Sequence, residues 1–262
     1  MVLYTISRLF FYWVNIDMYP NVSASHLLEM LFGGMRFDLT ALLYLNALYL
    51  LLVLLPLPTA IRNHATYINI AKWSFWLPNI LGFIVNCMDI VYVRFTDRRT
   101  TCTVFTEFQN DGNLASIIGQ SMVQYWYVTL FGVALIALFI LCTRKQWQAL
   151  TPRKTWVYYV AESLLMVVTI YFVVIGIRGG FGKYTRPITI SNALQYTNTP
   201  QETAILLNTP FSLMKSLENT TYQHPHYFSN EQAEQIFSPI HTDEIEANER
   251  LGRTNVVVII LE

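Results

Sequence analysis

The sequence predicts a mainly α-helical membrane protein: a five-span transmembrane bundle, a spacer of short helices, and a single closing β-strand. Three observations predict it. First, 53% of the 262 residues are hydrophobic and only 13% are charged, against roughly 25% charged in soluble domains. Second, apolar stretches alternate with short loops in which basic residues cluster. Third, the chain turns polar after residue 178 and then closes on the aliphatic run Asn255-Val256-Val257-Val258-Ile259-Ile260-Leu261-Glu262. The formal net charge is zero, and no nucleic-acid partner is expected.

Residues 2–16 are apolar and aromatic, interrupted by Arg8. They read as a retained first helix rather than a cleaved signal, because no basic segment precedes them and further spans follow. Residues 39–57 are nearly all Leu, Ala and Tyr and end at Pro56 and Pro58; this second stretch is long enough for a hydrocarbon layer of ~30 Å. The third span covers 73–93, with Trp73 and Trp76 at one end, where interfacial aromatics belong. The fourth covers 125–142, opened by Tyr125-Trp126-Tyr127, and the fifth covers 156–177. Cys87, Cys102 and Cys142 have no metal-like spacing and read as packing residues.

Loop charge sets the orientation. Arg62, His64 and Lys72 lie between spans two and three with no acid, and Arg144, Lys145, Arg153 and Lys154 lie between four and five, again with none. The loop after span three mixes Arg94, Arg98 and Arg99 with Asp97, Glu107 and Asp111. The positive-inside rule puts the two purely basic loops in the cytoplasm. The N-terminus is then cytoplasmic, and everything after residue 178 is extracytoplasmic.

The chain thus divides into a membrane domain over 1–178, a juxtamembrane linker over 179–254, and the strand 255–262. Pro187, Pro200, Pro210, Pro225 and Pro239 punctuate the linker, so short helices are expected at 191–196, 202–208 and 211–217. Their apolar residues are expected on the membrane surface or against a following domain. The strand is aliphatic on both faces, as in the interior of a parallel sheet. Ligands bind beyond the carboxyl ends of such strands, which makes Glu262 a candidate site residue. One strand cannot make a domain, so the chain reads as the front part of something longer.

Charges at membrane depth are costly and mark partners or polar cavities. Arg36 and Asp38 sit at the outer mouth of span two; Asp89 and Arg94 sit near the outer end of span three. Two readings are open: ion pairs that lock span two to span three, or a site for an anionic lipid headgroup at Arg36 and Arg94. Glu162, in the inner third of span five, reads as the counter-charge to cytoplasmic basic residues. After span five, Gly179, Gly180 and Gly182 stand beside Arg178, Lys183 and Arg186. This is an interfacial hinge with basic anchors for lipid phosphate, and it lacks the spacing of a nucleotide-binding loop. His224-Pro225-His226 has no third ligand at a matching spacing and reads as a surface turn.

Several of these pieces, in order, resemble the lipoteichoic acid synthase-like proteins of the alkaline phosphatase/sulfatase superfamily. The resemblance rests on the five spans, Gly34-Met35-Arg36-Phe37-Asp38, Asp89-Ile90-Val91-Tyr92 with Arg98-Arg99, and Arg178-Gly179-Gly180 with Arg186-Pro187-Ile188. Asn208-Thr209-Pro210-Phe211 and the closing strand complete it. It implies the membrane part of an enzyme that moves phosphoglycerol from an anionic phospholipid donor to an extracytoplasmic glycan or glycolipid acceptor. It also implies a plasma (inner) membrane location. The closing strand would open a sulfatase-like catalytic domain, with Glu262 one ligand of a divalent metal (manganese, or zinc or magnesium). The nucleophilic threonine and the other ligands of that family have no counterpart in this sequence, so the 262 residues alone are expected to be inactive. A membrane phosphoethanolamine transferase shares the layout. A non-enzymatic module that binds a lipid or a partner is the remaining alternative.

Overall fold

A computed structural model describes residues 1–107, 114–145, 155–180, 182, 186–217, 232 and 236–237. The chain forms two compact units, Met1–Asn219 and Thr220–Glu262; nearly all described residues belong to the first. The strand over 255–262 with Glu262, Lys183, and His224-Pro225-His226 lie outside the described residues. Among the described residues every regular element is a helix.

Helix α1, Val2–Val14, buries Tyr4, Ser7, Arg8 and Phe11, the three-four spacing of one helical face. A 3-10 turn at Ile16–Met18 leads to α2, Ala24–Leu45, where the Ser23 hydroxyl caps the first turn by accepting from the His26 N–H at 3.3 Å. Helix α2 buries Met30, Gly33, Gly34, Phe37, Asp38 and Ala41 along a similar stripe. Helix α3, Ala47–Leu54, then leaves at 61° to it. Asn46 stands at the bend, exchanging side-chain bonds with Asn79 of the next long helix at 2.7 and 3.4 Å. A short α4, Thr59–Arg62, precedes α5, Ala65–Thr96, which ends at Asp97 with φ +53°. Helices α6 (Thr103–Glu107) and α7 (Leu114–Gln124) lead to α8, Trp126–Thr143, and α9, Thr155–Arg178. A 3-10 helix at Ile190–Tyr196, then α10 (Thr203–Leu206) and α11 (Thr209–Leu217), close the unit.

Helices α5, α8 and α9 are each long and apolar enough to cross a membrane, and the bent α2–α3 pair makes a fourth if counted as one span. The most apolar window of α9 has no buried residue. Leu164, Val167, Ile170 and Phe172 stand half or more exposed, an apolar surface of the kind that a membrane or a partner covers. Two differences from the sequence reading stand out. The stretch 39–57 is not one straight span, because Asn46 breaks it between two helices. Helix α1 has 13 residues, about 20 Å at 1.5 Å per residue, so it falls short of the length that marks a span by itself.

Two ends are distinct. At one end, the guanidinium of Arg62 meets Glu162 at 2.9 Å and the Tyr158 hydroxyl at 2.8 Å, so the loop after α3 and the start of α9 lie together. Glu162 thus answers a basic residue of that loop, as the sequence suggested. At the other end lie the turn after α5, the start of α2 and the segment 198–212. Within that segment Ala204, Ile205, Leu206, Leu207 and Phe211 are almost wholly inaccessible and join the same core as Phe11, Met30, Phe37 and Ile90. Most of the apolar residues expected on the membrane surface or a following domain instead fill the mouth between α1, α2 and α5, while Leu194 and Leu217 stay exposed.

Candidate functional site

Two Arg–Asp pairs hold that segment in place, and they are the polar centre of the described structure. In the first, Arg8 of α1 meets Asp38 of α2 at 2.6 Å, with both side chains at most 2% exposed. The same guanidinium donates from Nε to the carbonyl of Ile205 at 3.1 Å and from Nη2 to the carbonyl of Gly34 at 3.3 Å. Asp38 Oδ1 also accepts from Asn208 Nδ2 at 2.7 Å. A side chain at position 34 would put its Cβ 2.5 Å from Arg8 Cζ; the glycine there makes room for the ion pair.

In the second, Arg99 meets Asp89 of α5 at 3.4 Å and is as buried as the first pair. Its Nε donates to the carbonyl of Ala204 at 2.7 Å, and its guanidinium lies over the Phe11 ring at 3.9 Å. Asp89 further accepts from the backbone N–H and hydroxyl of Thr100 and from the Thr209 hydroxyl at 2.7 Å. Asn86 joins the two halves, accepting from the Thr209 N–H at 3.1 Å and donating to the Ser7 hydroxyl at 2.7 Å. Asn208 accepts from the Phe211 N–H at 2.8 Å and so caps α11. A buried charge is tolerated only when paired and hydrogen-bonded, and removing one partner of such a pair costs about 3–5 kcal/mol. The arrangement is a lock: its carboxylates are closed off from solvent and engaged by arginines.

The predicted site residues fall in separate places. Asp38 and Asp89 meet neighbouring residues of the docked segment, Asn208 and Thr209, but each pairs with an arginine outside the expected set. A direct ion pair between spans two and three is therefore not how these carboxylates are used. Arg94 staples the end of α1, donating to Asn15 Oδ1 at 2.8 Å and the Val14 carbonyl at 2.6 Å, with Asp17 at 3.1 Å. Arg36 faces Gly179 at the end of α9. Arg178 is the last residue of α9, and Arg186 is exposed. Compared with known proteins, the chain matches no family model, no curated protein and no solved structure. Among the described residues no three His, Cys, Asp or Glu side chains converge as a metal site would require.

Sequence reading passed over Arg8, Ser7, Asn86 and Asn208 as site residues. The signal for Arg8 was present: a lone arginine in an apolar helix needs a buried partner, and Asp38 in the next helix was one of the acids open to it. A second lock lies at the rim. Glu202 accepts from the Asn198 N–H at 2.7 Å and pairs with His26 at 3.1 Å. Burial alone would raise the Glu202 carboxyl, but these bonds, with the Thr199 N–H, hold it below the usual carboxylate value.

Proposed function

We propose that this chain is the membrane-anchoring, lipid-facing part of a metal-dependent enzyme that transfers phosphoglycerol, or a similar phospho-headgroup, from a membrane lipid to an extracytoplasmic glycan or lipid acceptor. One observation carries the reading. The segments on which the family resemblance rests supply Gly34, Asp38, Asp89, Arg99, Asn208 and Thr209, and these residues build the lock around the docked segment. Motif pieces scattered along the chain thereby act together, fixing α11 against the longer helices. A catalytic domain carried beyond α11 would then be tethered from an anchored point over the lipid donor.

In this reading α1 crosses as the first of five spans, its arginine neutralised by Asp38, and the purely basic loops are cytoplasmic. Residues 255–262 open a sulfatase-like domain, and Glu262 offers one carboxylate to a divalent ion. Such an ion activates a nucleophile and draws charge from phosphoryl oxygens.

The test is turnover in proteoliposomes, using the polypeptide translated from the gene through its native stop codon, with manganese. The reading expects diacylglycerol from phosphatidylglycerol and none from the 262-residue chain alone. Turnover of phosphatidylethanolamine instead would move the protein to the phosphoethanolamine transferases. No turnover of either lipid would leave a non-enzymatic binding module.

A further inference from the structure

Arg36 differs from the other interhelical arginines. Arg8, Arg62, Arg94 and Arg99 each have a carboxylate within 3.4 Å or less. Arg36 has none among the described residues; its Nε–H is buried without an acceptor, as is Arg8 Nη1, but Arg8 has the Asp38 carboxylate beside it. A buried donor left unmet is unfavourable enough to call for a partner. Asp38 cannot serve, since two residues along a helix is a turn of about 200°, and Asp38 is already engaged on the opposite face.

The surroundings define what that partner is. Arg36 lies on the seam where α2 meets α9, one turn from Thr40, whose hydroxyl reaches the Gly176 carbonyl at 3.1 Å. Gly179, at φ +76°, ends α9, and a Cβ there would lie 2.9 Å from Arg36 Nε and 3.1 Å from Nη2. Having no side chain, Gly179 lets the end of α9 pack directly against the guanidinium, where a Cβ would press on it. On the same side of α2, Phe32 is 73% and Leu39 38% exposed, and α9 exposes an apolar face below. The approach to Arg36 therefore runs along hydrocarbon and ends at a cation.

We infer that Arg36, framed by Gly179 at the end of α9, binds the phosphate of an anionic phospholipid whose acyl chains lie against α2 and α9. The inference rests on the membrane reading but not on catalysis, because a chain without turnover would still bind. A guanidinium matches a phosphodiester with two donors. The apolar approach favours a lipid over free phosphate.

The test titrates the purified 262-residue protein, in micelles, with short-chain phosphatidylglycerol, phosphatidylcholine and inorganic phosphate, following binding by native mass spectrometry. Phosphatidylglycerol should bind best, and Arg36→Gln should weaken it roughly tenfold or more, the worth of one charged hydrogen bond. Arg36→Lys should fall between the two, and Gly179→Ala should weaken binding without touching either buried ion pair. Unchanged binding to Arg36→Gln would overturn the inference. So would equal affinity for phosphatidylcholine, or inorganic phosphate binding as tightly as the lipid with the same dependence on Arg36.

Discussion

Asp38 carries more of the fold than its single charge suggests, because Arg8 and Asn208 both converge on one of its oxygens. Replacing it by asparagine leaves a guanidinium buried without counter-charge, and a loss of about 3–5 kcal/mol is expected. The paired replacement Arg8→Met with Asp38→Leu should lose less than either single change, since no charge is then stranded. Unfolding followed by tryptophan fluorescence in detergent checks this; losses that simply add would contradict the pairing. Glu202 gives a pH-dependent counterpart. Its carboxyl is held below the ordinary 4.5, so its contribution is complete above that value and is lost as the pH falls through the lower folded one. Hydrogen exchange at 198–202, corrected for intrinsic rates, should rise as the pH falls below 4.5. Glu202→Gln should abolish that dependence, and an unchanged profile in the variant would assign it elsewhere.

Among the elements, the longest apolar runs were the most legible. Helices α5, α8 and α9 follow from long stretches of high mean hydropathy, and the short helices at Ile190–Tyr196, Thr203–Leu206 and Thr209–Leu217 follow from proline punctuation. The bend at Asn46 escaped because hydropathy averages over one amide, whereas its partner Asn79 lies 33 residues away. The docking of the short helices escaped for a related reason. Four-residue α10 has no periodicity to show what covers it, and the bond from Arg8 to Ile205 spans 197 positions. The Asn46–Asn79 pair makes a prediction at this scale. Either change to alanine should cost about 0.5–1.5 kcal/mol, and the double change little more than one alone. Full additivity in the same unfolding assay would mean that the two amides act independently.

At the scale of the whole molecule, the described helices form a frame whose outward sides are largely apolar while charges pair inside. The two ends should then lie on opposite sides of the membrane. In a background without native cysteines, an impermeant maleimide added to intact cells should label Thr199→Cys but not Arg144→Cys; both positions are exposed on the structure. A tag ahead of Val2 should be protected with Arg144, and its accessibility beside Thr199 would show that α1 does not cross. Central to all of this is that Thr203–Ser212 is seated in the mouth of the helices by Arg8–Asp38 and Arg99–Asp89, rather than running free as a linker. Hydrogen–deuterium exchange on the protein in phosphatidylglycerol nanodiscs reads that seating directly. The backbone amides of 203–212 should be protected as long as those of 82–93 in α5. Exchange of 203–212 at the rate of an unstructured chain would contradict it.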